Sequence, residues 1–251
     1  MGVKLHITQE DLPLEFQKYK LLNSQDGISQ TVYFLEDKYV VKIFEDTYIE
    51  SLENELSLLK ILKNLKVSQP IDKIFYLKNH PTLIYPKAKG QSLKNALNNH
   101  ITQIGIFLSK LHNTTKNKTN SNMQLYTRSR LKNLVLKTKN QDFLNVFNNI
   151  DISLNDDGII HGDLFMDNCS FYNDNLESVY DFCEACIGDF TFDLAVVALS
   201  WCKNDNDIKV LLKSYKYQNS FNIFKQYVEY ARLYYSVTRF LNNIEYKELL
   251  A

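Results

Sequence analysis

In the stretch Ile159-Ile160-His161-Gly162-Asp163-Leu164-Phe165-Met166-Asp167-Asn168, an Asp follows a His by two positions and an Asn follows that Asp by five. A further acidic position comes shortly after, in Val179-Tyr180-Asp181-Phe182. Oxygen ligands at this spacing suit phosphoryl transfer from a magnesium-bound nucleotide, a reaction that needs positioning and charge stabilisation more than covalent help. Asp163 is the candidate base or hydroxyl-orienting group, and His161 the residue that braces its loop. Asn168 and Asp181 are the candidate Mg²⁺ ligands. Magnesium takes one or two such oxygens and completes its shell with phosphate and water. An isolated H-x-D has little specificity; Asn168 and Asp181 together supply it. Asp167 reads as a loop-stabilising or solvated residue.

A lysine stands in an apolar run, Val40-Val41-Lys42-Ile43. Strand alternation puts Val41 and Ile43 on one face and Val40, Lys42 and Phe44 on the other. A lysine on such a face needs an anionic partner, and nucleotide phosphates with a helix glutamate would satisfy it. Glu55 is the expected glutamate, with Glu53 as fallback. Upstream, "SQDGISQTVY" holds a single glycine. Backbone N–H groups around Gly27 and Ser29 are candidates to cradle phosphate; an ordinary strand-connecting turn is the competing reading.

These residues need rigid elements to hold them. "QTVYFLED" and "KYVVKIFED" flank Glu36-Asp37-Lys38 and read as a hairpin. "YIESLENELSLLKILKNL" carries leucines at 52, 56, 59 and 62, a helical spacing. "IDKIFYL" and "PTLIYPK" read as two more strands. After Pro86 the pattern turns mainly helical: "SLKNALNNHITQIGIFLSKLH", a polar loop "NTTKNKTNSN", and "YTRSRLKNLVLKTKNQDFLNVFNNI". "GIIHGD" and "LESVYDF" predict a small β element holding the acidic loops, and the chain from Asp193 on reads as helical. A boundary at residues 85–90 divides a nucleotide-binding lobe, residues 1–86, from a catalytic and acceptor-binding lobe, residues 87–251, with a cleft expected between them.

Composition removes several classes. With 29 basic and 29 acidic side chains the chain has no basic excess to recruit nucleic acid or an anionic membrane. It has no apolar run of the roughly 18 residues a spanning helix needs. The start, MGVKLHITQEDLPLEF, has no apolar signal core, and His6 stands where a myristoylation motif wants Ser or Thr. The expectation is a soluble, cytoplasmic protein, monomeric or homodimeric, acting on a small molecule. Cys183 and Cys186 form a C-x-x-C, but no second pair completes a metal-ligand set, so buried apolar packing is the simpler account.

The motifs resemble those of the aminoglycoside phosphotransferase and choline kinase superfamily, from about residue 27 to 239. The carrying residues are Lys42, Glu55, "LIYPKAKGQSL", "IGIFLSKLH", "HGDLFMDN", Asp181-Phe182 and "GDFTFDLA". The resemblance implies an α+β, two-lobed protein-kinase-like fold with a small β-rich N-lobe and a larger, mainly helical C-lobe. It implies ATP and Mg²⁺, with a small-molecule hydroxyl as acceptor. By the same resemblance Tyr85 and Lys87 line the adenine, Asp193 braces the catalytic region and His112 is structural. Within the superfamily, "IIHGDLFMDNCSF", "YDFCEACIGDFTFDLAVVALSWC" and "ARLYYSVTRFL" are most similar to the homoserine kinases of this fold. That branch makes homoserine the expected acceptor and points to Trp201 and Arg239 as acceptor residues. A guanidinium such as that of Arg239 can grip a carboxylate in two places. Tyr234 departs from the branch, standing where its helix pattern calls for arginine. Glu184, just after Asp181, is more similar to aminoglycoside or choline kinases, so choline, ethanolamine or an aminoglycoside is the alternative acceptor. A catalytically silent nucleotide-binding module is the alternative of another class.

Overall fold

The computed structural model describes residues 5–24, 30–45, 49–119 and 123–250. Gly27 and Ser29 lie outside the described residues. Two compact units divide the chain, residues 1–89 and residues 90–251.

The first unit is built on a five-stranded antiparallel sheet. Its strands are β1 (Leu21–Asn23), β2 (Thr31–Leu35), β3 (Tyr39–Ile43), β4 (Phe75–Leu77) and β5 (His80–Pro86), in the order β1-β2-β3-β5-β4. The β2–β3 hairpin turns through Glu36, which adopts φ 52°. Its register sets Val41 opposite Tyr33 and Ile84, and Lys42 opposite Val32 and Leu83. Tyr33, Val41 and Ile84 therefore share one face, packed with Leu35, Ile43, Ile7, Leu12 and Phe16. The Tyr33 hydroxyl fastens the covering segment, accepting from the Ile7 N–H and donating to the Leu5 carbonyl. The sequence does not announce this N-terminal cover, which has neither strand nor helix period. Lys42, Val40, Leu83 and Tyr85 fall on the opposite face.

Between β3 and β4 runs α1 (Ile49–Ile61). Its buried positions are Leu52, Glu55, Leu58 and Leu59, followed by Leu62. Leu56, expected on the inner stripe, is only half-buried; the stripe steps by three residues there and takes in Glu55.

The second unit is mainly helical: α2 (Asn98–Thr115), α3 (Arg128–Thr138), α4 (Gln141–Asn149), α5 (Phe190–Trp201), α6 (Asp205–Tyr215), α7 (Phe221–Leu241) and α8 (Lys247–Leu250). α2 packs on α6, α5 on α7, and α3 and α4 on α7. α2 and α6 come close at Gly105, where a Cβ would lie 2.1 Å from the Ser214 hydroxyl oxygen. The expected α2 beginning at Ser92 is corrected. The helix starts at Asn98, where the His100 ring accepts from the Leu97 N–H at 3.1 Å. Lys139, in the left-handed region, ends α3 and separates it from α4.

The expected small β element is two separate ribbons. β6 (Gly158–Ile160) pairs with β9 (Cys186–Gly188), and β7 (Cys169–Tyr172) with β8 (Asn175–Val179). The H-G-D stretch leaves the end of β6, and Asp181 leaves the end of β8. Among the described residues, no helix is long and apolar enough to cross a membrane.

Candidate active site

Asp163 lies in the loop after β6 and is held from two sides. Its Oδ1 accepts from the Tyr235 hydroxyl at 3.1 Å, and its Oδ2 from the Asn168 amide at 3.1 Å. The same Asn168 nitrogen donates to the Asp163 carbonyl at 2.7 Å. Tyr235 also donates to the Gly162 carbonyl at 2.5 Å. Burial raises the Asp163 carboxyl to about 7; the Tyr235 hydrogen bond opposes this, and Asp181, Glu184 and Asp167 add to it. A carboxyl at that value can take a proton from a hydroxyl near neutral pH.

The loop is hung on one helix. Asp193, in the first turn of α5, is fully buried. Its Oδ2 accepts from the His161 N–H and from His112 Nε2, both at 2.9 Å, and its Oδ1 from the Gly162 N–H at 2.9 Å. His112 Nδ1 lies 2.7 Å from the Tyr215 hydroxyl, and its ring stacks on Phe190. Two turns along α5, Ser200 Oγ accepts from the Met166 N–H and Trp201 Nε1 donates to the Leu164 carbonyl. Positions 193, 200 and 201 share one helix face, so a single rigid face grips the loop at residues 161, 162, 164 and 166. Gly162 has φ 79°, and a Cβ there would lie 2.9 Å from the Glu184 carbonyl, so this turn calls for glycine.

His161 braces the loop from within. It is fully buried; its Nδ1 accepts from the Asp163 N–H at 3.3 Å and its Nε2 lies 3.2 Å from the Tyr180 carbonyl. Burial lowers its pKa against the pull of Asp193 and Asp181, which fits a neutral ring donating through Nε2. Tyr180 joins the two acidic segments, since its N–H also donates to the Asn168 carbonyl at 3.0 Å. Asp181 follows at φ 66°, a left-handed conformation that costs an L-residue energy and that Asp tolerates better than most. Phe182 anchors it, buried with its ring 4.5 Å from that of His161.

Other expected residues are placed as follows. In the first unit, Glu55 is 3% exposed while Glu53 is exposed, and Lys42 Nζ lies 5.3 Å from the centre of the Phe44 ring. Tyr85 is buried. The Lys87 ammonium goes to Asp37 at 2.5 Å and lies over the Phe34 ring, and its N–H donates to the Lys38 carbonyl. These contacts turn its side chain toward the hairpin rather than toward a base. In the second unit, Trp201 is buried in α5. It is 1% exposed, and its indole supports the loop through Leu164. Arg239 is half-buried in the last turn of α7, one turn beyond Tyr235 and on the same face. Glu184 and Asp167 are exposed. Cys186 is buried in β9 and its thiol is pushed up to about 12 by burial, which leaves it inert.

Tyr235, Ser200 and Tyr180 escape the sequence reading. For Ser200 a signal exists, its spacing of seven from Asp193; for Tyr235 nothing distinguishes it from the other tyrosines of α7.

A sequence profile described as the phosphotransferase enzyme family matches residues 21–219. The chain belongs to the phosphotransferase enzyme family. It is 27% identical over 200 residues to a homoserine kinase of Methylobacillus flagellatus, covering 71% of this chain and 62% of that protein. It is 26% identical over 234 residues to a homoserine kinase of Janthinobacterium sp., covering 80% of this chain and 72% of that one. The chain thus spans about three fifths of the length of the first of these relatives. Among solved structures, the GDP and kanamycin complex of APH(2")-IIia superposes with a TM-score of 0.73 at 14% identity, over 89% of this chain and 86% of that one. The α+β, protein-kinase-like fold expected from the motifs is the fold this family member has.

Proposed function

We propose that the chain transfers the γ-phosphoryl group of ATP, with Mg²⁺, to the hydroxyl of a small molecule, and that the molecule is homoserine. The observation that carries the phosphotransfer reading is Asp163. It is fixed at both oxygens, raised to about 7 by burial, and set beside Asn168. In this reading Asp163 orients the acceptor hydroxyl and takes its proton as the phosphoryl group leaves ATP for that oxygen.

The residues present fit magnesium. The Asn168 amide nitrogen is spent on Asp163, so its oxygen is the end left for a cation. Asp181 raises the Asp163 carboxyl through its charge, as do Glu184 and Asp167, and a divalent ion would relieve that repulsion. Among the described residues no three His, Cys, Asp or Glu side chains cluster as a metal cage. Magnesium held by Asn168 and Asp181 would take its other ligands from phosphate and water. Bound there, it would neutralise charge developing on the phosphates. Lys42 and Glu55 are proposed as the first unit's contribution to the nucleotide, with Tyr85 beside the base. Homoserine as acceptor is supported by the homoserine kinases among the relatives.

The experiment measures ADP release from MgATP with L-homoserine, choline and kanamycin in parallel. The expected result is turnover of L-homoserine. Turnover of choline or kanamycin alone would remove the homoserine assignment and keep the kinase. No turnover of any acceptor, with nucleotide still bound, would favour a silent binding module.

A further inference from the structure

Two arginines, Arg128 and Arg130, open α3, where the helix dipole is unfavourable to a cation, and the first turn has no acidic residue. Arg128 is accounted for. Its guanidinium donates to the carbonyls of Phe147, Ile150 and Ile152 and lies 4.5 Å from the Phe147 ring centre. Arg130 is not. Among the described residues its guanidinium makes no hydrogen bond or ion pair, and it lies 5.8 Å from the centre of the Tyr126 ring.

That ring begins a short path to the reacting carboxylate. Tyr126 meets Tyr234 edge-on at 5.2 Å, Tyr234 meets Tyr235 at 5.2 Å, and the Tyr235 hydroxyl reaches Asp163 at 3.1 Å. Glu184 flanks the same place from the other side, its carbonyl packed against Gly162. Its carboxylate is exposed and, among the described residues, has no ion pair or hydrogen bond. Tyr234 senses all three groups. After burial, which dominates, Arg130 lowers its pKa while Glu184 and Asp163 raise it. Cys186 likewise senses both Arg130 and Glu184. Arg130 thus stands at the far end of the Tyr126–Tyr234–Tyr235 row that reaches Asp163, and Glu184 stands beside Gly162 next to that carboxylate, without the two charges pairing to each other.

We propose that Arg130 and Glu184 are the acceptor's charge-reading residues, Arg130 taking the carboxylate and Glu184 the ammonium of a zwitterionic α-amino acid whose hydroxyl meets Asp163. The proposal rests on the kinase reading above and is narrower than the identity of the amino acid. A guanidinium and a carboxylate match a zwitterion group for group. A purely cationic acceptor would pair with Glu184 and leave Arg130 repelling it.

The test deletes one charge at a time from both sides. L-homoserine is compared with 3-aminopropan-1-ol, which lacks the carboxylate, and 4-hydroxybutanoate, which lacks the ammonium. Arg130→Met should raise KM for L-homoserine about ten- to a hundredfold, the value of one charge-assisted hydrogen bond. It should leave KM for 3-aminopropan-1-ol and for ATP unchanged, and Arg130→Lys should recover part of the loss. Glu184→Gln should raise KM for L-homoserine but not for 4-hydroxybutanoate. Equal losses on all three compounds would mean that the residues act through the fold, and would overturn the proposal. Calorimetric titration of wild type with L-homoserine, L-serine and L-threonine separates the two levels. Binding of none of them overturns the clamp. Arg130-dependent binding of one, without phosphorylation of L-homoserine, keeps the clamp and removes homoserine as the substrate.

Discussion

Asp193→Asn tests the suspension of the catalytic loop with little change of shape. Asp193 receives three hydrogen bonds at 2.9 Å, from His161, Gly162 and His112, in a fully buried site. An amide of the same size accepts through one oxygen only, so either the His161 or the Gly162 N–H loses its acceptor. An orphaned buried donor costs about 1–3 kcal/mol, and a hydrogen bond to a charged group is worth about 1.5–3 kcal/mol. One orphaned donor and one weakened charged bond give a destabilisation of about 3–5 kcal/mol. For a chain of this size that is a fall in Tm of roughly 10 °C. Urea unfolding followed by circular dichroism measures it, and ADP release at low temperature reads the accompanying loss of turnover. The pH dependence has a definite sign. Burial pushes the Asp193 carboxyl up, but the His112 hydrogen bond, the electrostatic pull of the two histidines and the Gly162 N–H bring it net below its ordinary 3.8. Such a group stabilises the fold above its unfolded value and loses that contribution as pH falls through the folded one. The gap between wild type and Asp193→Asn should therefore persist at neutral pH and close only below about pH 4. A destabilisation under about 1 kcal/mol at pH 7 would refute the idea that α5 carries the loop.

Asp163→Asn should lower kcat about 10²–10⁴-fold while calorimetry finds nucleotide still bound; undiminished kcat would remove its role as proton acceptor. Asp181→Asn keeps the left-handed backbone and removes the charge, so half-maximal activity should need more Mg²⁺; an unchanged magnesium titration would move the metal elsewhere. Trp201→Phe takes away the indole donor to Leu164 and should lower stability by about 1–3 kcal/mol with KM for the acceptor unmoved; a change confined to that KM would return Trp201 to the acceptor site. Burial holds the Cys169, Cys186 and Cys202 thiols near 12, so iodoacetamide at pH 8 should leave all three unmodified until urea is added, as intact and peptide masses would record.

Much of this is legible in the sequence because it is local. The alternation around Lys42 sets it with Val40 on the face opposite Val41 and Ile43, and the spacing of Asp163 and Asn168 puts their side chains within hydrogen-bond distance. What is illegible is carried by contacts between distant segments. No period in residues 5–16 announces that they cover a sheet, and α2 opens on Leu97 where Ser, Thr, Asp or Asn is the usual cap, with the His100 ring rather than a Glu or Gln reaching back to the Leu97 N–H. Trp201 follows a family pattern and reads as touching the acceptor; only its burial reveals a support. Arg130 draws no notice in the sequence because a helix-borne arginine is ordinarily a solvated one.

The backbone at Asp181 has an implication for laboratory selection. A residue held at φ 66° carries a standing penalty of about 1 kcal/mol that glycine would escape. Pressure for heat resistance alone would thus favour the substitution Asp181→Gly, and pressure for turnover would favour the carboxylate. A library screened only for folded, heat-resistant protein should collect inactive clones at this codon, and the frequency of glycine there would report how much stability the native chain forgoes in order to present that one acid.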